Sequence, residues 1–184
     1  MIYRTVRGVS ARARASLPAA GILLASTGAP FSATAIALAA RQGGGSRVRV
    51  VTVARIHGSS FGLQHPGLMP SKSERDQAQA IVTNAIKALQ RAGVKADGEV
   101  VITRGAARAF ARAARGARDV RHVIVDDPRA GRLGRFLTAA TARSVRYRLK
   151  GAGVTAVSGG VVHDADGGHR QEAGGELDQL DRAV

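Results

Sequence analysis

The chain has 184 residues, no cysteine and a formal net charge of +15. Its length suits one domain of about 130–150 residues with tails. The lack of cysteine excludes disulfides, thiolate metal sites and cysteine nucleophiles. Because aromatic residues make up only 3% of the chain, Val, Ile, Leu and Ala must supply the core, which favours helices packed on a sheet over a β-sandwich. No apolar run approaches the ~20 residues that a membrane span needs.

The charge is distributed unevenly along the chain. The first acidic residue is Glu74, whereas six acids and two arginines lie from residue 161 onward. The first part and the middle are therefore strongly basic, and the tail is acidic. A basic surface of this kind can attract RNA, DNA or anionic lipid. The alternative is a compositional bias in which arginine replaces lysine on ordinary solvated faces.

The two ends of the chain differ in composition from its middle. Residues 1–19 carry four arginines and no acid, which fits a transit peptide, a solvated basic arm or translation from an upstream start codon. The arm lacks the apolar core of a secretory signal, so we expect a cytoplasmic protein. Residues 159–184 are polar, glycine-rich and charged, and we expect this tail and the arm to be disordered. One folded domain is then expected over residues 20–158.

Within that domain, strand and helix patterns alternate. The near-continuous β-branched run at residues 48–56 is typical of a strand buried on both faces. Residues 74–92 carry one apolar stripe, with Ser73 as the expected cap, and Ser32 is expected to cap the first helix. Strict alternation predicts an α/β fold with a parallel sheet and helices on both faces. In chain order we expect strand 21–25, helix 31–42, strand 48–56, helix 74–92, a strand within 94–103, helix 106–117, strand 120–125, helix 132–150 and strand 154–158.

Three features of this layout resemble the universal stress protein family. They are the opening strand and turn at residues 22–32, the second strand with its long loop and long helix, and the lengths of the last strand, helix and strand. The resemblance covers residues 20–158. It implies a doubly wound, five-stranded parallel sheet of order 3-2-1-4-5, ATP as a candidate ligand, and a homodimer formed through the last strand.

The family's ATP-binding residues do not recur at the matching positions. The aspartate that follows the first strand in the family falls on Thr27. The family's phosphate loop, Gly-x2-Gly-x9-Gly-Ser/Thr, begins after the fourth strand and falls on Asp126, Arg129, Ala139 and Ala140. Glycines there would let backbone amides close on phosphate oxygens, whereas carboxylates repel an anion. We therefore expect a binding or regulatory module that is not a competent ATP binder, with Thr27, Asp126 and Arg129 at the family's site positions.

Other interpretations of the same segment stay open. Gly131, Gly134 and Ser144 nearly reproduce the glycine spacing, which would suit a nucleotide-binding stress protein with a degenerate phosphate loop. Asp126 and Asp127 suit Mg²⁺ binding or acid/base chemistry at a strand end, or simply neutralise nearby arginines or cap a turn.

No other motif supports catalysis or a metal site. The loop at residues 57–72 contains His57 and His65, whose separation is not a metal-ligand spacing, and we expect the loop to cover the ligand cleft or contact a partner. No GxSxG or HExxH motif is present. We expect neither enzyme activity nor a bound metal.

Arginines recur on one face of each of the last two helices. Two such faces could bind phosphate backbones of nucleic acid or of the ribosome without sequence specificity, since aromatic residues for base stacking are scarce. Alternatively, both faces are merely solvated. The residues concerned are Arg104, Arg108, Arg112 and Arg115 on the third helix and Arg132, Arg135, Arg143, Arg146 and Lys150 on the fourth.

Overall fold

A single twisted sheet with helices on both faces forms the framework of the computed structural model, which describes residues 20–43, 45–55, 69–117, 120–128, 132–149 and 151–164. The predicted alternation of strands and helices is confirmed. The elements are β1 (Ala20–Ser26), α1 (Ala33–Gly43), β2 (Arg47–Arg55), α2 (Lys72–Arg91), β3 (Ala96–Thr103), α3 (Ala106–Gly116), β4 (His122–Asp127), α4 (Arg132–Arg148), β5 (Gly153–Ser158) and β6 (Val161–Asp164).

The strand order is β3-β2-β1-β4-β5-β6. The first five strands are parallel, which confirms the predicted order 3-2-1-4-5. The prediction of a five-stranded sheet is wrong by one strand, because β6 pairs antiparallel with β5. Gly159 and Gly160, with φ of 57° and 80°, form the two-residue turn between them, and paired positive φ values are what a tight hairpin requires. Residues 159–164, which we expected to belong to a disordered tail, therefore form this turn and β6.

The sixth strand changes which edge of the sheet is open. β5 is hydrogen-bonded to β4 on one side and to β6 on the other. The strand that was expected to be last, and to pair with a second copy, therefore has both edges occupied. Among the described strands, the open edges belong to β3 and β6.

Side chains alternate along each buried strand and fill two separate cores. Leu24, Val50 and Ile124 pack with α1 and α2 on one face of the sheet, whereas Leu23 and Val123 pack with α3 and α4 on the other. A parallel strand covered on both faces must be apolar at nearly every position, which explains the near-continuous apolar runs. No helix of the described residues has the length and apolar character that crossing a bilayer requires.

A serine caps the start of α1 and another caps the start of α2. Ser32 caps α1 as predicted: its Oγ accepts a hydrogen bond from the Ala35 N–H at 3.1 Å. The predicted cap of α2, Ser73, lies inside the helix, and Ser71 takes that role. Ser71 Oγ accepts from the Glu74 N–H at 3.2 Å, and the Glu74 carboxylate accepts from the Ser71 N–H at 2.7 Å. This reciprocal pair is a capping box.

Candidate functional site

A cavity of about 810 Å³ opens at the carboxyl edge of the parallel strands, on the face that α3 and α4 cover. Thr27, just after β1, and Thr103, at the end of β3, contribute to its wall beside Val53 of β2. Ligands of doubly wound folds bind at this edge, because the connections leave a crevice there. The rest of the wall comes from the first turn of α3 and from Leu137, Ala140, Thr141, Ser144 and Arg148 of α4.

The charge of this carboxyl-edge cavity is entirely positive among its described lining residues. Arg104, Arg108 and Arg148 line it, and no carboxylate does. The first residues of α3 lie against it as well, and the N-cap of that helix, Gly105, offers no side-chain acceptor to the first turn. Backbone N–H groups without an internal partner and the positive end of the helix dipole both favour an anion. The wall is therefore suited to a negatively charged ligand.

Thr27 places an unpaired hydroxyl at the edge of the cavity. Its Oγ1 is buried and has no hydrogen-bond partner among the described residues. Thr27 also lines a smaller adjoining cavity of about 190 Å³, beside Glu74 and Gln77 of α2. A buried hydroxyl without a partner costs about 1–3 kcal/mol, so a ligand atom that bonds to it would recover that free energy.

The turn after Thr27 requires a glycine. Gly28 has a φ of +98°, and a Cβ atom there would lie 2.8 Å from the backbone oxygen of Val53. Both the left-handed backbone and the close approach of β2 exclude a side chain. The turn thus holds Thr27 beside the end of β2.

Asp126 lies inside the sheet and not at the entrance of the cavity. It is the fifth residue of β4 and is fully buried, and it is absent from the cavity wall. Its carboxylate accepts hydrogen bonds from the Ser32 N–H at 2.6 Å and from the Ser32 hydroxyl at 3.1 Å. Desolvation outweighs these two bonds and raises the pKa of Asp126 from 3.8 to about 6. The loop expected to start at Asp126 therefore starts later, and this carboxylate does not face an incoming phosphate.

The acidic pair shows no arrangement for a metal. Asp127 is also in β4 and is 2% exposed. Nowhere in the described ranges do three or more His, Asp or Glu side chains gather as a metal site would require. The carboxylate of Asp126 bonds to the start of α1, 94 residues away along the chain, whereas the sequence suggested a cap of the turn next to it.

The predicted arginines of α3 and α4 lie on one side of the sheet. Both helices pack on the same core cluster, and Arg104, Arg108, Arg112 and Arg115 are exposed, as are Arg135, Arg143 and Arg146. Arg104, predicted on the third helix, lies just before α3, whose N-cap is Gly105. Only Arg104 and Arg108 of this set line the carboxyl-edge cavity. The positions outside the described residues or side chains are Arg129, Arg132 and Lys150, and also His57 and His65.

The contribution of α4 to the cavity was not predicted from the sequence. Leu137, Thr141, Ser144 and Arg148 are four, three and four residues apart and form one stripe. That spacing was available as a signal, but the stripe mixes apolar, hydroxyl and cationic residues, so neither an apolar nor a basic pattern reveals it. Ser144, considered only as part of a shifted glycine motif, lines the cavity from the middle of the helix.

Comparison with known proteins agrees at the level of the fold. No protein-family model matches the chain, and no curated protein matches it in sequence. A universal stress protein of Archaeoglobus fulgidus, solved in complex with dAMP, superposes with a TM-score of 0.55 at 16% identity, over 76% of this chain and 98% of that one. Another universal stress protein structure from Archaeoglobus fulgidus gives 0.52 at 13% identity, over 73% and 91%.

The chain has the universal stress protein fold. Thr27, which is expected from the sequence at the position of the family's first aspartate, borders the carboxyl-edge cavity. Asp126, at the first position of the phosphate motif, is buried in the sheet. Of the three family site positions, the structure thus brings one to the cavity, places one beneath α1, and leaves Arg129 outside the described residues.

Proposed function

We propose that this universal-stress-protein-like domain is a binding module that takes a small anionic ligand, of the nucleoside monophosphate class, in the carboxyl-edge cavity. The observation that carries the proposal is the wall itself, in which three arginines and the start of α3 face a space of about 810 Å³ without a carboxylate among the described lining. The volume lies within the usual range for small-molecule sites. The Archaeoglobus fulgidus neighbour of the same fold was solved with dAMP, a ligand of this class.

We further propose that the domain is not a competent ATP binder. The family's motif uses glycine amides after β4 to close on phosphate oxygens, and at its first position this chain has a buried aspartate engaged by Ser32. Arginine side chains can neutralise one phosphate group, but they do not replace a loop of amides around three phosphates. We therefore expect a monophosphate to bind more tightly than the triphosphate.

Calorimetry with AMP, dAMP and ATP, with and without Mg²⁺, tests both parts. Arg104 lines the carboxyl-edge cavity and is exposed, so Arg104→Glu should weaken AMP binding by about tenfold or more, because an attraction becomes a repulsion of similar size. Arg143→Glu makes the same charge change on an exposed residue outside the cavity wall and should change affinity by less than about twofold. Equal losses in both variants would show only general attraction of anions.

Two other results would replace or exclude the proposed function. If ATP binds more tightly than AMP, the alternative of a nucleotide-binding stress protein with a degenerate phosphate loop takes its place. If none of the three nucleotides binds at millimolar concentration, the carboxyl-edge cavity has no role in nucleotide binding.

A second candidate function is non-specific binding of nucleic acid. The observation that favours it is that the exposed arginines of α3 and α4 lie on the same side of the sheet. Binding driven by the phosphate backbone releases counterions, so the logarithm of the RNA affinity should fall linearly with the logarithm of salt concentration. Arg112→Glu with Arg143→Glu should reduce that slope by about two, since each lost phosphate contact contributes nearly one unit. A slope near zero in the unmodified protein would exclude this function.

A further inference from the structure

A second groove, of about 510 Å³, lies between β3 and α3 and adjoins the carboxyl-edge cavity, with which it shares Thr103 and Arg108. It belongs to the open edge of the sheet, since β3 pairs only with β2 among the described strands. Arg49, Glu99, Arg108 and Arg112 are the charged residues that line it, with Ala109 and Ala113 forming an apolar wall on α3. We call it the β3-edge groove. Apart from Thr103 and Arg108, its lining residues take no part in the proposed nucleotide site.

The groove follows the backbone of β3. Five consecutive residues, Glu99 to Thr103, all line it. Successive side chains of a strand point to opposite faces, and the side chains of Val100 and Ile102 are buried with α1 and α2 on the far face. These two residues therefore line the groove with the backbone edge of the strand. The N–H and C=O groups on that edge are not paired with any other described strand. Such an edge can be extended by an added strand.

The charge of the groove selects an acidic partner. Its described lining contains three arginines against one glutamate. That glutamate is already engaged, since Glu99 Oε1 accepts a hydrogen bond from Arg49 at 3.3 Å and both side chains are about nine-tenths buried. Arg108 and Arg112 are exposed on the facing wall, and no ion pair to a described carboxylate satisfies either of them. Two cations thus face the open strand edge.

The spacing of these two cations matches an extended chain. Arg108 and Arg112 are four residues apart on one helix, which separates them by about 6 Å along the axis. Alternate side chains of a β-strand project on the same face and are about 6.6 Å apart. Carboxylates at positions i and i+2 of a strand added to β3 would therefore meet the two guanidinium groups in turn.

We propose that the β3-edge groove binds an extended acidic segment of a partner protein, which adds a strand to β3 and places alternate carboxylates against Arg108 and Arg112. Main-chain hydrogen bonds supply the affinity of such an arrangement, and the alternating charges set its register. A small anion would use the arginines but leave the edge of β3 unpaired, so the strand edge favours a peptide.

Labelled nine-residue peptides test this with the full chain by fluorescence anisotropy. One peptide alternates Glu with Val, a second has the same composition with the glutamates contiguous, and a third alternates Lys with Val. The alternating acidic peptide should bind about tenfold or more tightly than the contiguous one, and the lysine peptide should not bind. N-methylation of every second amide removes the hydrogen bonds of one edge, so one of the two methylated registers should abolish binding and the other should preserve it.

The variant Arg112→Glu tests whether the peptide binds in the β3-edge groove. Arg112 lines the β3-edge groove and not the carboxyl-edge cavity, so this variant should weaken binding of the alternating peptide about tenfold and leave AMP binding unchanged. Arg143→Glu is the matched control and should change peptide affinity by less than about twofold. Both residues are exposed on helices, and circular dichroism will confirm that the variants are folded.

Four results would overturn the proposal. Equal binding of the alternating and contiguous peptides, or equal losses in the two arginine variants, would indicate general charge attraction. Tighter peptide binding by a chain that ends at Asp164 would make the protein's own acidic tail the occupant. A dimer that Arg112→Glu dissociates would assign the groove to a second copy.

Discussion

At the scale of single residues, Asp126 shows how sheet order gives a side chain its role. β1 and β4 are neighbours and pair Ser26 with Asp126, so the carboxylate of β4 lies beside the segment that leads from β1 into α1. Ser32, which caps that helix, donates both its N–H and its hydroxyl to the carboxylate. The sequence suggested an acid facing solvent or phosphate, because it shows only the neighbours along the chain.

The first prediction concerns the pH dependence that Asp126 causes. The pKa of Asp126 is raised from 3.8 to about 6, so the folded state holds the proton more tightly than the unfolded state between about pH 4 and pH 6. Ionisation therefore lowers the free energy of unfolding as pH rises through this window, by about 3 kcal/mol in total. Asp126→Asn keeps an acceptor for the Ser32 N–H and removes the titration. Urea unfolding should show the variant gaining about 3 kcal/mol over the unmodified protein between pH 4 and pH 7.

Parallel stability curves for the two proteins across that pH range would contradict the prediction. They would mean that water or another group solvates the ionised carboxylate, so that burial does not raise its pKa.

The second prediction concerns the buried hydroxyl of Thr27. Without ligand, Thr27 Oγ1 lacks a partner among the described residues, so Thr27→Val should raise the free energy of unfolding by about 1 kcal/mol. The same change should weaken AMP binding by about tenfold if the hydroxyl bonds to the ligand. Urea unfolding and calorimetry on one preparation measure both effects.

Thr83→Val provides the control for the stability measurement. The Thr83 hydroxyl already donates to the backbone oxygen of Gln79 at 2.9 Å, so this variant should gain no stability. A loss of stability in Thr27→Val, or unchanged AMP affinity, would remove Thr27 from the proposed site.

At the scale of secondary-structure elements, the long helix α2 shows the limit of local signals. Its apolar stripe predicted the helix, and buried Ile81, Val82 and Leu89 confirm it. Its start was placed two residues late, because Ser71 and Ser73 are both plausible caps. The capping box with Glu74 identifies Ser71 as the N-cap, because that glutamate is the third helical residue only when the helix begins at Lys72.

The third prediction compares the contributions of Ser71 and Ser73 to the stability of α2. Ser71→Ala removes the acceptor of the Glu74 N–H and should lower the free energy of unfolding by about 1 kcal/mol. Ser73→Ala replaces an exposed residue within the helix by a better helix former and should leave stability unchanged or raise it by about 0.5 kcal/mol. Urea denaturation of the two variants measures the difference. Equal effects of the two substitutions would mean that the cap contributes nothing in solution.

At the scale of the whole molecule, β6 changes how two copies could meet. The resemblance to universal stress proteins implied a dimer through the last predicted strand, which is β5 and which already pairs with β4 and β6. Val161, at the start of β6, is 51% exposed. We propose that dimerisation uses the open edge of β6, because β5 is already paired on both sides.

The fourth prediction tests this edge. Sedimentation velocity should show a dimer of the unmodified chain, and Val161→Lys should shift it towards monomer, since lysine on an edge strand opposes pairing with another chain. Tyr147→Lys is the control, because Tyr147 is 88% exposed but lies on the helix α4 and not on an edge strand. A monomeric unmodified protein, or a dimer that survives Val161→Lys, would contradict this assembly.

The sequence by itself determined the order and kind of the elements from β1 to β5. β-branched runs and helical apolar stripes are patterns of neighbouring residues, and alternation of the two leads to a parallel sheet covered on both faces. The carboxyl edge as the place of the site also followed, because parallel strands end together.

Only the tertiary structure decided the chemistry at that edge. Ser32 meets Asp126 across 94 residues of chain, and the carboxyl-edge cavity joins Thr27, Arg104 and Ser144 from three distant segments. The β3-edge groove likewise forms only where α3 lies beside an edge strand. Such contacts depend on which strands are neighbours and which helices cover the same face of the sheet. No local sequence pattern encodes the distance between two side chains that are remote along the chain.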